Sequence, residues 1–268
     1  MKVKSIIILG GGSSGWCSAA ALIKHCPGID VTLIESDDIP TVGVGESTIA
    51  YFNLFMHQLG LNNSDWMPRC DAVYKNSIKF SNIRKKESSY HVPFTNYTDS
   101  FDKIAKWNSL MDNDDRFSPE TFSKHFYDGV YLSELNKLTY NTDNLLQDYS
   151  LEYNTSYNLD AVKFSKYLKE EFCIPRGVKC VTDTIVGLGK DGNNNITFLD
   201  GKSKNYYSAD LYIDCTGFRS LLLEQQMGST HIPYTQLVNN RAVVVNNIAY
   251  IDKQTEMENF TDTIGKEH

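Results

Sequence analysis

An α/β fold built around a parallel sheet is predicted by three features of the first 35 residues. Residues 6–9 are a run of four apolar side chains, which is too short for a helix and suits a buried central strand. A glycine-rich turn follows at once and leads into a helical pattern over residues 16–25. A second apolar strand at 31–34 completes a strand, helix and strand. The chain therefore starts with a Rossmann-like βαβ unit.

The glycine-rich turn has the spacing Gly10-x-Gly12-x-x-Gly15. In a βαβ unit the first glycine permits the tight turn, and the second lets a pyrophosphate approach the backbone. The third lets the helix pack closely on the strand. Ser13 and Ser14 stand at the helix start, where a cap or a hydrogen bond to phosphate is expected. The turn therefore predicts a dinucleotide site, with an ordinary βαβ turn as the alternative.

Glu35 ends the second predicted strand, about 20 residues after the last glycine of the turn. A carboxylate at this spacing contacts ribose hydroxyls in dinucleotide-binding folds. Glu35 is therefore predicted to bind the ribose of the nucleotide.

A second glycine-rich segment, residues 41–48, reads Thr-Val-Gly-Val-Gly-Glu-Ser-Thr. Such a segment suits neither a helix nor a sheet interior, and we expect its backbone to lie against a planar ligand. The backbone contacts are expected at Gly43, Val44 and Gly45. Ser47 or Thr48 is expected to cap the helical pattern 49–59 that follows.

Composition narrows the classes of function. The chain has 268 residues, a net charge of -7 and a pI near 5.4. Clustered cations hold nucleic acids, so this acidic balance argues against a nucleic-acid partner. The sequence has no run of about 18 apolar residues and no secretory pattern before its first strand. We therefore expect a cytoplasmic protein without nucleic-acid or membrane partners.

Six cysteines occur without a Cys-x-x-Cys pair and without the histidine spacing of zinc sites. They are Cys17, Cys26, Cys70, Cys173, Cys180 and Cys215. No metal site is therefore predicted. Most of the cysteines lie in apolar or helical stretches, which suits reduced, buried thiols.

The rest of the chain has less regular patterns of apolar and turn-forming residues. Residues 95–154 are rich in Asn, Asp, Ser, Thr and Tyr and predict a largely helical insertion. Residues 159–172 show helical spacing, with Asp160 near the helix start. The remaining short apolar segments predict a strand near 177–181, a β-meander at 183–189, 196–199 and 206–208, a strand at 211–214 that returns to the first sheet, and a strand at 242–246.

The Gly-Gly-Gly-x-x-Gly-Trp start and the Gly-Val-Gly-Glu-Ser-Thr segment together resemble the flavin-dependent tryptophan halogenase family. Further matching stretches lie along nearly the whole chain, at 65–68, 71–80, 157–161, 209–219 and 239–242. The resemblance implies an FAD-binding Rossmann-like domain of the three-layer ββα kind. It places this discontinuous domain at residues 1–80 and 157–268, interrupted by a substrate-side insertion at 81–156.

The resemblance also implies a reaction. Reduced FAD from a separate flavin reductase, oxygen and halide yield hypohalous acid, which passes through a tunnel to a lysine and halogenates an aromatic or indole ring. Lys75 matches that lysine. An amine buried among apolar neighbours loses preference for its charge and becomes nucleophilic, which is the property that Lys75 needs. Lys79 lies in an alternating strand and is expected to point to solvent.

Further cofactor contacts follow from the resemblance. In similar flavoproteins the first strand after the long helix passes the adenine, which makes Val181 a candidate backbone contact. The turn from Asp214 to Gly217 lies near the pyrophosphate or the ribityl chain, with Asp214 as the polar contact. An Asp that only caps its own turn is the alternative.

On the substrate side, His91 and Phe94 match residues that border the aromatic ring, and Glu46 is assigned to the same side. A packed loop is the alternative for His91 and Phe94. Tyr157 and Asn158 replace a Trp-His pair of tryptophan-specific members. Free tryptophan is therefore indicated as the substrate by the family resemblance and not by these residues.

Compared with the family, the sequence ends early. The family would continue with a tryptophan-rich segment and a carboxy-terminal half, which carries a glutamate that works beside the lysine. We therefore expect a truncated, FAD-binding half of a halogenase that is weakly active or inactive alone. The expected partners are a second copy of this chain in a homo-oligomer, or a second polypeptide that supplies the missing half. The alternatives are a flavin monooxygenase that does not halogenate and a non-catalytic FAD-binding remnant.

Overall fold

The computed structural model describes residues 2–39, 45–94, 100–114, 116–140, 143, 145–146, 149–234 and 259–265. The chain forms two compact units. The first unit comprises Met1–Val44 and Asp160–Asn247, and the second comprises Gly45–Leu159 and Ile248–His268. The domain division at residues 80 and 157 stays a prediction.

The elements follow in chain order. They are β1 (Ser5–Leu9), α1 (Ser13–His25), β2 (Asp30–Glu35), β3 (Gly45–Ser47), α2 (Tyr51–Leu59), α3 (Asn63–Arg69), β4 (Val73–Lys75), β5 (Ser77–Ser81), β6 (Ser89–Pro93), α4 (Ser100–Met111), α5 (Phe122–Phe126), α6 (Asp128–Glu134), β7 (Ser156–Asp160), α7 (Ala161–Tyr167), β8 (Lys179–Thr182), β9 (Ile185–Lys190), β10 (Ile196–Gly201), β11 (Tyr206–Tyr207), β12 (Leu211–Asp214) and β13 (Phe260–Ile264). Short π-helical or 3-10 turns cover Leu168–Cys173, Ile174–Arg176, Gly217–Arg219 and Leu221–Gln226.

The first unit contains a parallel sheet in the strand order β12-β1-β2-β8. Its central strands are apolar, and Ile8 and Leu33 are fully buried. Burying each such side chain contributes about 1.5–3 kcal/mol. Ala19 and Ala20 of α1 are also fully buried. The structure therefore confirms the α/β fold and the opening βαβ unit.

A second sheet of the first unit is antiparallel, with the order β11-β10-β9. It confirms the predicted β-meander. The helix predicted from residue 159 starts later, because Leu159 and Asp160 still belong to β7. Asp160 caps α7 by accepting a hydrogen bond from the Lys163 backbone N–H at 2.9 Å, which confirms its place at the helix start.

The second unit contains two three-stranded sheets, in the orders β3-β7-β4 and β13-β5-β6. Strand β13 pairs with β5 in parallel, whereas β6 pairs with β5 antiparallel. Helices α4, α5 and α6 lie in the insertion predicted to be helical. The predicted strand at 242–246 lies outside the described residues.

The expected cap of α2 is wrong. Its N-cap is Ala50, and no side chain caps the helix. Ser47 ends β3 instead, and the Thr48 backbone N–H donates to the Tyr157 carbonyl at 2.9 Å. Both hydroxyl side chains are therefore available for other contacts.

Within the described residues, no helix combines the length and the apolar character needed to cross a bilayer.

Candidate functional site

The glycine turn of the first unit is tight at both ends. Gly10 has a φ of +117°, and a Cβ there would collide with the Cys215 carbonyl. A Cβ on Gly15 would collide with the Gly10 carbonyl. Only glycine fits at these two positions, as the tight turn and the close packing of helix on strand require.

Gly12 differs from these two glycines. It is the N-cap of α1, its backbone is extended, and a Cβ there would meet no atom within 4 Å. No side chain caps the helix, so a capping role of Ser13 and Ser14 is wrong, and their hydrogen bond to phosphate stays a prediction. Ser13 bonds instead to the Ser165 hydroxyl at 3.2 Å. An uncapped helix N-terminus beside open space fits a dinucleotide pyrophosphate.

Glu35 ends β2, and its carboxylate lies so close to the glycine turn that a Cβ on Gly11 would collide with it. Its Oε1 accepts hydrogen bonds from the Lys169 ammonium and, at 3.5 Å, from the Cys180 thiol. Burial and the neighbouring carboxylate raise the pKa of Cys180 to about 11, so the thiol keeps its proton. The ribose contact of Glu35 stays a prediction.

Two further predicted cofactor contacts, Val181 and Asp214, lie on strands β8 and β12. Val181 pairs with Ile34 of β2, next to Glu35. Asp214 accepts hydrogen bonds from the backbone N–H and hydroxyl of Thr216 and from the backbone N–H groups of Leu222 and Leu223. These four bonds are those of the turn-capping alternative, and a cofactor contact by Asp214 stays a prediction.

Gly217 and the second glycine segment complete the predicted cofactor contacts. Gly217 has a φ of +63°, which favours glycine, and open space where a Cβ would lie. Gly43 and Val44 lie outside the described residues. Gly45 starts β3, and Glu46 is exposed in the same strand.

Lys75 lies in β4 of the second unit, opposite Ser156 of β7, and only 1% of its surface is exposed. Its Nζ donates to the Ser47 hydroxyl at 2.8 Å and to the Thr48 carbonyl. It also lies 4.9 Å from the centre of the Phe94 ring. Burial lowers the pKa of Lys75 from its ordinary value of 10.5 to about 8. A large fraction of this amine is therefore neutral and nucleophilic near pH 8.

His91 lies in β6 and is 7% exposed. The Ser133 hydroxyl donates to the Gly129 carbonyl, so it accepts from the Ser77 hydroxyl at 2.8 Å. Ser77 must then accept from His91 Nδ1, also at 2.8 Å. Burial lowers the pKa of His91, which favours the neutral ring. His91 therefore carries its proton on Nδ1 and presents Nε2 as an acceptor.

Lys79 serves as a comparison with Lys75. Its side chain is 30% exposed, lies 3.8 Å from the Asp262 carboxylate and stands 5.6 Å from the centre of the Phe260 ring. The expectation that Lys79 points to solvent is therefore wrong in part, because its ammonium group lies beside a carboxylate and an aromatic ring.

The buried Lys75 amine is expected to make stability depend on pH. Between pH 8 and 10.5 Lys75 binds a proton in the unfolded chain and not in the folded chain, so its contribution to the free energy of unfolding rises with pH. The rise due to Lys75 is up to about 3 kcal/mol. In denaturant unfolding at several pH values, the free energy of unfolding of the wild type relative to that of Lys75→Met should rise by this amount, because the buried cysteines affect both chains equally.

Lys79→Met is the matched control, because it removes a lysine from the neighbouring strand β5. An identical pH dependence in wild type and Lys75→Met would contradict the low pKa of the buried amine.

The sequence interpretation missed four residues around these sites. Ser47, Thr48 and Lys169 contact predicted site residues directly, and Thr261 bonds to Ser47 at 2.5 Å. Ser47 and Thr48 stood in a recognised segment, but helix capping was the simpler interpretation. No pattern pointed to Lys169 or Thr261. Within the described residues, no group of three or more His, Cys, Asp or Glu side chains is placed to hold a metal.

Comparison with known proteins extends these observations. The family model for tryptophan halogenase matches residues 5–268. The tryptophan 7-halogenase RebH of Lentzea aerocolonigenes is 28% identical, and the match covers 98% of this chain and 52% of that protein. The 7-chloro-L-tryptophan 6-halogenase KtzR of Kutzneria sp. (strain 744) is 30% identical over 89% of this chain and 49% of that protein.

Solved structures agree. The VirX1 apo structure has a TM-score of 0.89 and 40% identity, covering 98% of this chain and 51% of that one. The tryptophan 6-halogenase SttH of Streptomyces toxytricini has a TM-score of 0.84 and 25% identity, covering 100% of this chain and 54% of that one. The chain thus spans about half the length of the relatives it matches. With a family match along almost its whole length, the chain belongs to the tryptophan halogenase family.

Proposed function

We propose that this chain is the FAD-binding part of a flavin-dependent halogenase that acts on an aromatic or indole substrate. The observation that carries the proposal is the Lys75 amine, which is buried, held by two oxygen acceptors and lowered in pKa to about 8. A family match alone indicates the reaction class, whereas this amine has the chemistry that the reaction needs.

The glycine turn of the first unit fits the cofactor. The uncapped N-terminus of α1 and the open space at Gly12 would hold the pyrophosphate of FAD, and Glu35 would hold its ribose. Bound as reduced FAD, the cofactor would supply the two electrons that reduce oxygen to the peroxide level, and oxygen at that level can oxidise halide to hypohalous acid.

Lys75 would act on that hypohalous acid. The neutral amine attacks the halogen, forming an N–halogen bond and releasing water, or it holds the acid by hydrogen bonding. The aromatic carbon then takes the halogen, the ring loses a proton, and the amine returns to its starting form. His91 and Phe94 would border the ring in this scheme, and Glu46 would lie on the same side.

Partners and location belong to the same proposal. A separate flavin reductase would deliver reduced FAD. RebH is named for action on tryptophan and KtzR for action on 7-chloro-L-tryptophan, so tryptophan is the first substrate to test. None of the six cysteines forms a disulfide, which agrees with a reducing cytoplasm.

The test is an assay of the purified chain with FAD, a flavin reductase, oxygen and bromide or chloride. Tryptophan and simple indoles serve as substrates, and mass spectrometry detects products. We expect retained FAD and a small amount of aromatic product whose mass increases by that of the halogen supplied. A hydroxylated product formed without halide would favour a monooxygenase. Retained FAD without any product would favour a non-catalytic remnant.

A further inference from the structure

A chain of four polar side chains ends on the Lys75 amine. Lys75 Nζ is 2.8 Å from Ser47 Oγ, and Ser47 Oγ is 2.5 Å from Thr261 Oγ1. Thr261 Oγ1 is 3.0 Å from Asn158 Oδ1. This hydrogen-bond chain joins residues of β4, β3, β13 and β7, and all four residues belong to the second unit. It therefore links the amine to strands that are far apart in sequence.

The far end fixes the direction of every hydrogen bond in this chain. The Asn158 Nδ2 group donates to the Phe260 carbonyl at 3.3 Å, which turns Oδ1 toward Thr261. An amide oxygen only accepts, so the Thr261 hydroxyl donates to it. The Ser47 hydroxyl, with one hydrogen, then donates to Thr261 and leaves only its lone pairs for Lys75.

We propose that Ser47, Thr261 and Asn158 are positioning residues that orient the Lys75 amine by a hydrogen-bond chain of fixed direction. Both oxygens at the amine, Ser47 Oγ and the Thr48 carbonyl, act as acceptors and take its N–H groups. The inference rests on the proposed function, in which Lys75 is the reactive amine.

The direction of the chain matters for the neutral amine. With two N–H groups held by Ser47 and Thr48, the lone pair points away from both oxygens. A Ser47 hydroxyl that turned round would donate to this lone pair and lower its nucleophilicity. Thr261 prevents the turn because it accepts the Ser47 hydrogen. The hydrogen-bond chain therefore keeps the amine lone pair free of a hydrogen bond from Ser47, so that it can attack the electrophilic halogen.

The test measures the Lys75 pKa by NMR of the chain labelled with ¹³C-lysine, without cofactor or halide. Thr261→Val removes the acceptor for the Ser47 hydrogen, so Ser47 becomes a weaker acceptor of the ammonium and a donor to the neutral amine. We expect the Lys75 pKa to fall further, by about 0.5–1 unit. Thr261→Ser should restore the wild-type value. Thr263→Val, the same change at an exposed position of β13, is the control.

A double-mutant cycle separates positioning from general disturbance. Ser47→Ala removes the link, so Thr261→Val should have no further effect on the Lys75 pKa in that background. An unchanged pKa in Thr261→Val, or an equal shift with and without Ser47, would overturn the proposal. If Thr261→Val does not fold, Ser47→Ala alone must lower the pKa, and an unchanged value there overturns it too.

Activity gives an independent readout where halogenation is measurable. Thr261→Val should lower kcat with little change in KM for the aromatic substrate, and Thr261→Ser should recover kcat. Halogenation by Lys75→Met at the wild-type rate would end the proposed function but leave the NMR result standing. The two failures are therefore distinguishable.

Discussion

Replacing Lys75 with methionine is expected to lower halide-dependent product formation by at least about 100-fold, the lower end of what a positioned catalytic group contributes. Methionine keeps the length and apolar stem of the side chain but has no amine to take the halogen. FAD binding should not change, because the glycine turn belongs to the other unit. Product is measured by mass spectrometry, and FAD affinity by fluorescence titration.

Lys79→Met is the control for this experiment. Lys79 lies four residues later, on β5, and contacts Asp262 and Phe260 in place of Ser47 and Thr48. It should halogenate at a rate close to that of the wild type. Equal losses in the two variants would show that Lys75 has no special part in the reaction. Hydroxylation that survives in Lys75→Met would indicate a monooxygenase.

Replacing Gly12 with valine is expected to weaken FAD binding by at least about 100-fold, or about 2.7 kcal/mol. The backbone at Gly12 is extended and a Cβ meets nothing within 4 Å, so the fold should accept the side chain. The added methyl groups fill the space that the pyrophosphate needs and separate it from the helix N–H groups. The measurement is FAD titration, with circular dichroism to confirm folding.

Gly192→Val is the matched control, since a Cβ at Gly192 also meets nothing within 4 Å. Gly192 lies between β9 and β10, away from the glycine turn in sequence. The FAD affinity of the Gly192→Val variant should equal that of the wild type. Normal FAD binding by Gly12→Val would exclude the glycine turn as the pyrophosphate site.

Sequence reasoning worked best where the determinants are local. The glycine turn, β1, α1 and β2 lie within 35 residues, and the apolar run of β1 has one plausible environment. The β-meander is similar, because hairpin neighbours pair directly. Lys75 needed the register of a family motif, since nothing local distinguishes it from other lysines.

The remaining contacts depend on distant parts of the chain. The Lys169 partner of Glu35 and the Thr261 partner of Ser47 come from segments that no spacing rule connects. Asp214 shows a different limit, because a carboxylate after a strand suits a ligand contact and a turn cap equally well. Only the four hydrogen bonds it accepts reveal the cap.

The parallel pairing of β13 with β5 also bears on how the amine site forms. Thr261 reaches Ser47 only after a loop from the start of the unit to its last strand has closed, which is a slow, non-local step. During synthesis the glycine turn and β2 leave the ribosome long before Thr261. The other strands of the parallel sheet, β8 and β12, also precede Thr261 in the chain, so the first unit can fold while Lys75 is still unoriented. A chain shortened before residue 259 would keep its lysine but lose the direction of its lone pair.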